Sequence, residues 1–322
     1  MADPPAGNVP VVDFNPFTHV TSEGSNRAWR ELREQCPVAW TPENGGHWIL
    51  SSYEAVTAAF LDWQTFSSAR TDPAISSLML GDAHMPKLYP EELDPPASKP
   101  MRRVLSRLLS PTAVAAMEPR VQHWTNYYLD RIIDAGGGDF ASEFSVPVPS
   151  AVTMEWLGWP QDEWVQAAST FYDMARHEYF SPGFMEAGKK FRWLGSRIQE
   201  EVAQRRQHPR DDVMSAIANA DLDGVPITAE EAQAMVLLTI GGGVDTTTAL
   251  TSAGLIHLGR DPELRSRIIE EPALLETATE GILRLYPPAR THARTASARD
   301  IGFHGCPCAR AIASARRSLS VP

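Results

Sequence analysis

The residues best suited to chemistry stand together in Gly241-Gly242-Gly243-Val244-Asp245-Thr246-Thr247-Thr248. Asp245 is an ionisable group and Thr246 a neighbouring hydroxyl, a pairing that can relay protons. The surroundings are costly for a helix: each interior glycine loses on the order of 1 kcal/mol relative to Ala, and the threonines are β-branched residues of modest propensity. A helix that keeps them has a use for them. Glycine without Cβ lets a flat ligand lie against the backbone, and a Thr hydroxyl that bonds the carbonyl one turn back loosens the helix and can hold a water. Gly242 and Gly243 therefore read as a groove for a planar cofactor, with Asp245 and Thr246 as the groups that handle protons beside it. Another reading stays open at this point: the glycines let two helices cross closely, and Asp245 pairs with an arginine.

The element that holds these residues is well delimited. Thr228-Ala229-Glu230-Glu231 is a capping box, and Gly259 followed by Asp261-Pro262 closes a helix of about thirty residues. Its stretch from Met235 to Leu258 is apolar and long enough to cross a bilayer. Asp245 in mid-span would cost roughly 2.5–3.5 kcal/mol there, and Thr239, Thr251, Ser252 and His257 add further polar groups, so a buried central helix of a soluble fold accounts better for the mixture. Apolar residues three or four apart predict further helices over 53–61, 101–109, 112–135, 184–207 and 211–220. Glu271-Pro272 opens another, which Pro287-Pro288 ends. Residues 37–41 and 47–50 flank Asn44-Gly45-Gly46, the composition of a hairpin turn. The expected class is mainly α with small β-sheets, in one continuous domain without internal repeats.

At 322 residues and 43% apolar content the chain can fill a substantial core. With 29 basic against 40 acidic residues, its net charge of -11 argues against a nucleic-acid groove and against adsorption to anionic membrane. Cys36, Cys306 and Cys308 cannot make a disulfide framework, and Met-Ala-Asp-Pro-Pro-Ala-Gly has neither a basic n-region nor an apolar h-region. The expected compartment is the cytoplasm.

Gly-Gly-x-Asp-Thr followed by Thr247 resembles the central-helix signature of the bacterial cytochrome P-450 family. Other segments in the right order also resemble it: Pro10-Val11-Val12-Asp13-Phe14, Trp63-Gln64-Thr65-Phe66-Ser67-Ser68, Asp94-Pro95-Pro96 with Arg102-Arg103, and Leu283-Arg284-Leu285-Tyr286-Pro287-Pro288. The resemblance runs from about residue 10 to about residue 306 and implies a haem cofactor. It implies that Arg102 holds one haem propionate, with Ser98 standing where the family often has His, and that Arg294 holds the other. Gly242 and Gly243 would leave space over the haem face, Thr246 would hydrogen-bond bound oxygen, and Asp245 would pass protons through water. The activity implied is that of a soluble monooxygenase, which takes two electrons from a ferredoxin or flavin-type donor and inserts one atom of O2 into a C–H bond of an apolar small molecule. After Pro288, Arg290, His292 and Arg294 alternate, so in a strand they share one face.

The pattern breaks in two places. Glu280 stands one residue before the position that the family's Glu-x-x-Arg requires ahead of Arg284, which rotates it by about 100° and predicts a weakened lock. The family's Phe-x-x-Gly-x-x-x-Cys-x-Gly occurs nowhere, so no metal ligand is assigned. The expectation is a cytochrome P-450-like fold lacking its C-terminal Cys-loop portion: residues 1–306 an incomplete family domain with its β part near 37–50 and its helical body over 53–286, and 307–322 a non-family tail. The codons GTG CGC GCG GGC GAT CGC, for Val-Arg-Ala-Gly-Asp-Arg, read one base later give Cys-Ala-Arg-Ala-Ile, which is residues 308–312, so a frameshift is the expected origin of the tail. Weak or absent turnover follows. A haem-free ligand-binding protein is the alternative; a non-haem iron oxygenase ranks lower, since none of the nine histidines begins a His-x-Asp/Glu pair.

Overall fold

The hairpin forms where Asn44-Gly45-Gly46 predicts it. In a computed structural model, which describes residues 10–15, 22–70, 86–175, 177, 181–289, 291–296, 301–303, 306–308 and 313–315, strands β1 (Val38–Thr41) and β2 (His47–Leu50) pair antiparallel from Val38↔Leu50 to Thr41↔His47. Gly45 and Gly46 both take φ of 85°, a region that only glycine enters without strain. These strands belong to the first of two compact units, Met1–Ser98 with Ala289–Pro322; the second is Lys99–Pro288.

In the first unit the hairpin is covered on both faces, which is why its sequence reads as a nearly continuous apolar run. Helix α1 (Ser22–Gln35) sends Trp29 and Leu32 against Ala39 and Ile49, together with Phe14. Helix α2 (Tyr53–Leu61), capped by Ser52, sends Ala55, Val56 and Ala59 toward the opposite set, Val38, Trp40, Trp48 and Leu50. Trp40 and Trp48 meet edge to face at 5.7 Å. Short strand pairs complete this unit: β3 (Phe66–Ser67) with β4 (Thr295–Ala296), and β5 (Ile301–Phe303) with β6 (Cys306–Cys308). Strand β7 (Ala313–Ala315), within the tail, runs parallel to β2.

The second unit is helical. Its elements are α3 (Ser98–Leu108, whose first residue belongs to the first unit), α4 (Pro111–Asp134), α5 (Pro147–Leu157), α6 (Trp164–Ala175), α7 (Pro182–Gln207), α8 (Val213–Ala218), α9 (Ala229–Arg260), α10 (Pro262–Glu270) and α11 (Leu274–Leu285). Helix α9 is the axis on which α5, α6, α7, α8, α10 and α11 pack. It is long and apolar enough to cross a membrane; here Met235, Val236, Leu237 and Ile240 are fully enclosed by protein instead. Its capping box forms in both directions: Thr228 Oγ1 accepts from the Glu231 N–H, and the Glu231 carboxylate accepts from the Thr228 N–H. The helix continues past Gly259 to Arg260, because Asp261 both ends it and caps α10 through the Leu264 N–H.

Three boundaries differ from the sequence expectation for local reasons. Helix α3 starts at Ser98, since the Ser98 N–H bonds the Asp94 carbonyl and Pro100 sits in a first turn that needs no donor. Helix α11 starts at Leu274, with Pro272 and Ala273 in a preceding turn. Helix α5 escapes periodicity because Ser150, Ala151, Thr153, Met154 and Leu157 bury it around much of its circumference. Mainly α with small sheets is the architecture found.

A charged cluster stitches this unit together. Arg205 of α7 is fully buried and donates to Glu201, to Asp212 Oδ2 at 3.0 Å and to the Gly158 carbonyl at 2.6 Å. Asp212 also caps α8 through the Ser215 N–H. Gly158 ends α5 at φ 77°, and a Cβ there would lie 2.5 Å from the Asp212 carboxylate.

Candidate functional site

Helix α9 turns Ile240, Val244 and Thr248, each four residues on, toward the core, with exposures of 0%, 1% and 7%. Its other side carries Gly242, Asp245, Thr246 and Ala249, all exposed or half-buried. The face between these extremes is where the three glycines part company. A Cβ on Gly241 would lie 2.7 Å from a Phe171 ring carbon, and one on Gly243 would lie 2.5 Å from Thr153 Oγ1. Those two glycines bring α6 and α5 close to α9. A Cβ on Gly242 would meet nothing within 4 Å. Close helix crossing thus explains Gly241 and Gly243, and an open backbone remains at Gly242.

Thr246 Oγ1 donates to the Gly242 carbonyl at 2.8 Å, the back-bond anticipated from sequence. The hydroxyl is thereby anchored with its oxygen still able to accept a hydrogen bond. Asp245 makes no ion pair or hydrogen bond among the described residues, so the arginine partner that a purely structural role would supply is not there. Loss of solvent around its half-buried carboxyl raises its pKa above the usual carboxylate range. A carboxyl in that condition holds its proton to higher pH than a solvated one.

The remaining sequence-predicted residues are divided between the units. Arg102, on α3 of the second unit, is exposed and makes no hydrogen bond or ion pair among the described residues. Its neighbour Arg103 pairs with Asp223, and Arg107 is solvated. Ser98 and Arg294 lie in the first unit. Ser98 is buried at the start of α3, just beyond an Asp94 carboxylate that accepts from the Ser68 N–H at 2.8 Å and from the Ser67 hydroxyl. The Arg294 guanidinium sits 4.8 Å over the Phe60 ring, and the His292 ring lies 5.6 Å from the same ring. The two side chains therefore share a side, as alternation predicts, although the strand itself begins only at Thr295; Arg290 lies outside the described residues.

His292 Nδ1 is 3.4 Å from Glu91 Oε1, a long contact, while burial and the charge of Arg294 push the ring's pKa down to about 3 and keep it neutral. Neither Phe60 nor Glu91 carried a sequence signal, because each meets its partner only through long-range folding. Glu280 and Arg284 are both exposed and form no ion pair among the described residues, in keeping with the displaced lock.

A planar cofactor finds an open backbone at Gly242, a hydroxyl and a carboxyl on one helix face. An iron centre finds less. Among the described residues no group of three or more His, Cys, Asp or Glu is placed to hold a metal ion. The described free thiol, Cys36, packs beside the first unit's core. The backbone of Cys306 and Cys308 forms β6, and their side chains lie outside the described residues.

Comparison with known proteins gives a consistent answer. A family model described as cytochrome P-450 matches residues 183–306, which include α9 and its glycines. Cytochrome P-450 130 of Mycobacterium tuberculosis is 29% identical over 306 residues, covering 88% of this chain and 72% of that protein. Cytochrome P-450 CYP107DY1 of Priestia megaterium is 31% identical over 216 residues, covering 66% of this chain and 52% of that protein. The crystal structure of CYP108D1 from Novosphingobium aromaticivorans superposes with a TM-score of 0.78 at 25% identity, over 93% of this chain and 75% of that one. The chain thus spans about half to three quarters of the length of the relatives it matches.

Proposed function

We propose, from the premise that this chain belongs to the cytochrome P-450 family, that α9 presents the oxygen side of a haem-dependent monooxygenase site and that this chain by itself turns over weakly or not at all. Haem is the family's cofactor, and when bound it supplies the activation of O2 and insertion of one oxygen atom into a substrate C–H bond. The chain's own residues have narrower tasks. Gly242 leaves the helix backbone uncovered for a flat ring, and Gly243 lets α9 seat against α5 so that this backbone is held in place. Asp245 stores a proton at its carboxyl, and Thr246, tethered to the Gly242 carbonyl, offers an oxygen through which a water-borne proton is passed. Arg102 and Arg294 are the cations for the two propionates, with Ser98 near the first of them in sequence.

The observation that carries this reading is the half-buried Asp245, without counter-charge among the described residues, one residue from a hydroxyl and three from a glycine with open space beside it. A structural aspartate would be paired. The substrate class is an apolar small molecule, the electron source a ferredoxin or flavin-type protein, and the compartment the cytoplasm. Weak turnover rests on the sequence: the thiolate that drives O–O cleavage in this family has no counterpart in the chain's 322 residues.

Reconstitution of the purified chain with haem tests both parts. Haem absorbance is expected without the reduced carbon monoxide band of thiolate ligation, and Asp245→Asn should leave haem uptake unchanged while altering the pH dependence of residual oxygen consumption. A thiolate band would overturn the claim of impairment. Saturable binding of apolar ligands with no haem absorbance would favour a haem-free binding protein.

A further inference from the structure

Away from α9, the second unit has a half-open cavity of about 200 Å³ lined by Trp124 of α4, by Ala151, Met154 and Glu155 of α5, and by Trp159, Gln161 and Trp164 at the entry to α6. Three indoles and one carboxylate around so small a space is an unusual composition for a helix junction. The rings are fixed against one another: Trp124 and Trp164 have centroids 5.1 Å apart at 48°, and Tyr127 closes on Trp124 edge to face at 5.6 Å. Ala151 and Met154 are fully buried and form an apolar floor.

The carboxylate is aimed as well as present. Glu155 Oε2 accepts from Trp124 Nε1 at 2.6 Å, and Oε1 lies 3.3 Å from Arg120 Nε. The Arg120 and Glu155 side chains are 48% and 36% exposed, so water screens both charges and holds the pair only weakly, which leaves the carboxylate at the pocket's rim able to face a second cation. A second polar group there is unspent. Trp159 is 4% exposed, and its Nε1–H is buried with no acceptor among the described residues. A buried donor left unpaired is costly, and a ligand oxygen would relieve that cost.

We propose that this cavity binds a small quaternary alkylammonium bearing a hydroxyl oxygen, of which choline is the simplest example. The cationic methyl groups lie against the indole faces of Trp124 and Trp164 and beside the Glu155 carboxylate, since aromatic faces attract cations and methyl-clad cations are cheap to desolvate. The hydroxyl oxygen accepts from Trp159 Nε1. Binding requires no haem and no member of the α9 group.

Titration of the full chain with choline chloride, followed by tryptophan fluorescence and isothermal calorimetry against a sodium chloride control of equal ionic strength, tests the assignment. Saturable binding is expected with a Kd on the order of 1 mM. The neutral isostere 3,3-dimethylbutan-1-ol should bind about 10-fold more weakly, because it keeps the shape and the hydroxyl and lacks the charge. Glu155→Gln should weaken choline without affecting the isostere, a contrast that a folding defect does not mimic. Equal affinity for choline and its isostere would overturn the proposal, as would a choline response no larger than that of sodium chloride in the wild-type chain.

Discussion

Alanine at Gly242 should stabilise the chain and alanine at Gly243 should not, although the two glycines are adjacent in one helix. At Gly242 a Cβ meets nothing within 4 Å, so Gly242→Ala gains only the helix propensity difference, about 1 kcal/mol, in part by restricting the unfolded chain. At Gly243 the same methyl would stand 2.5 Å from Thr153 Oγ1 and 2.8 Å from its Cγ2. Thr153 is a β-branched residue, 7% exposed on α5, and has little rotamer freedom with which to withdraw. Overpacking of that kind costs roughly 1–3 kcal/mol, which cancels or exceeds the propensity gain. The two variants should therefore differ by about 1–3 kcal/mol, or roughly 1.5–4.5 °C in thermal midpoint for a chain of this size. Urea and thermal unfolding of the haem-free variants measure the difference directly. Haem titration adds a functional readout: Gly242→Ala should be the more stable protein and the poorer haem binder. If Gly243→Ala proves as stable as Gly242→Ala, the assignment of one glycine to helix crossing and the other to an open ligand face is wrong.

Replacing Arg205 by Met removes the fully buried cation that bridges Glu201 and Asp212, while Arg197 still holds Glu201 at 2.9 Å, so a loss toward the lower part of about 3–5 kcal/mol is expected in urea unfolding. A loss below roughly 1 kcal/mol would show that the cluster is energetically neutral. His47 has its pKa pushed down to about 4, chiefly by burial and against a contact to the Glu43 carbonyl, so the folded ring stays neutral while the unfolded chain takes up a proton below about 6.5. Its contribution is complete above that value and drains away as pH falls toward 4; midpoints measured from pH 7 to pH 4 should decline less steeply in His47→Asn, and parallel slopes would exclude His47 as the cause. Thr228→Ala removes the hydroxyl half of the capping box on α9, leaving the backbone N–H of residue 228 on the Glu231 carboxylate, and should cost about 1 kcal/mol, with Thr228→Ser nearly neutral by thermal unfolding.

Much of the chain announces itself locally. The hairpin glycines, the Ser52 and Thr228 caps, the Asp261-Pro262 junction and the prolines after α11 each act on neighbours within a few residues, so their consequences are written in consecutive letters. The back-bond from Thr246 to Gly242 is of the same kind, set by one turn of helix. The family resemblance was equally legible, because its motifs are short and ordered along the chain.

What stayed hidden depends on partners distant in sequence. No local pattern says that Gly243 abuts Thr153 while Gly242 faces open space, because the choice is made by where α5 crosses α9. That no arginine among the described residues meets Asp245, that Phe60 serves both Arg294 and His292, and that three tryptophans converge on Glu155 likewise follow only when separate elements pack. The sequence by itself determined the central helix, its caps and the placing of a carboxyl beside a hydroxyl on it, since helix propensity and capping are short-range effects. Tertiary structure alone decided which glycine has open space beside it and which carboxyl has no counter-charge among the described residues, since burial and close contact are properties of the packed surfaces around a residue.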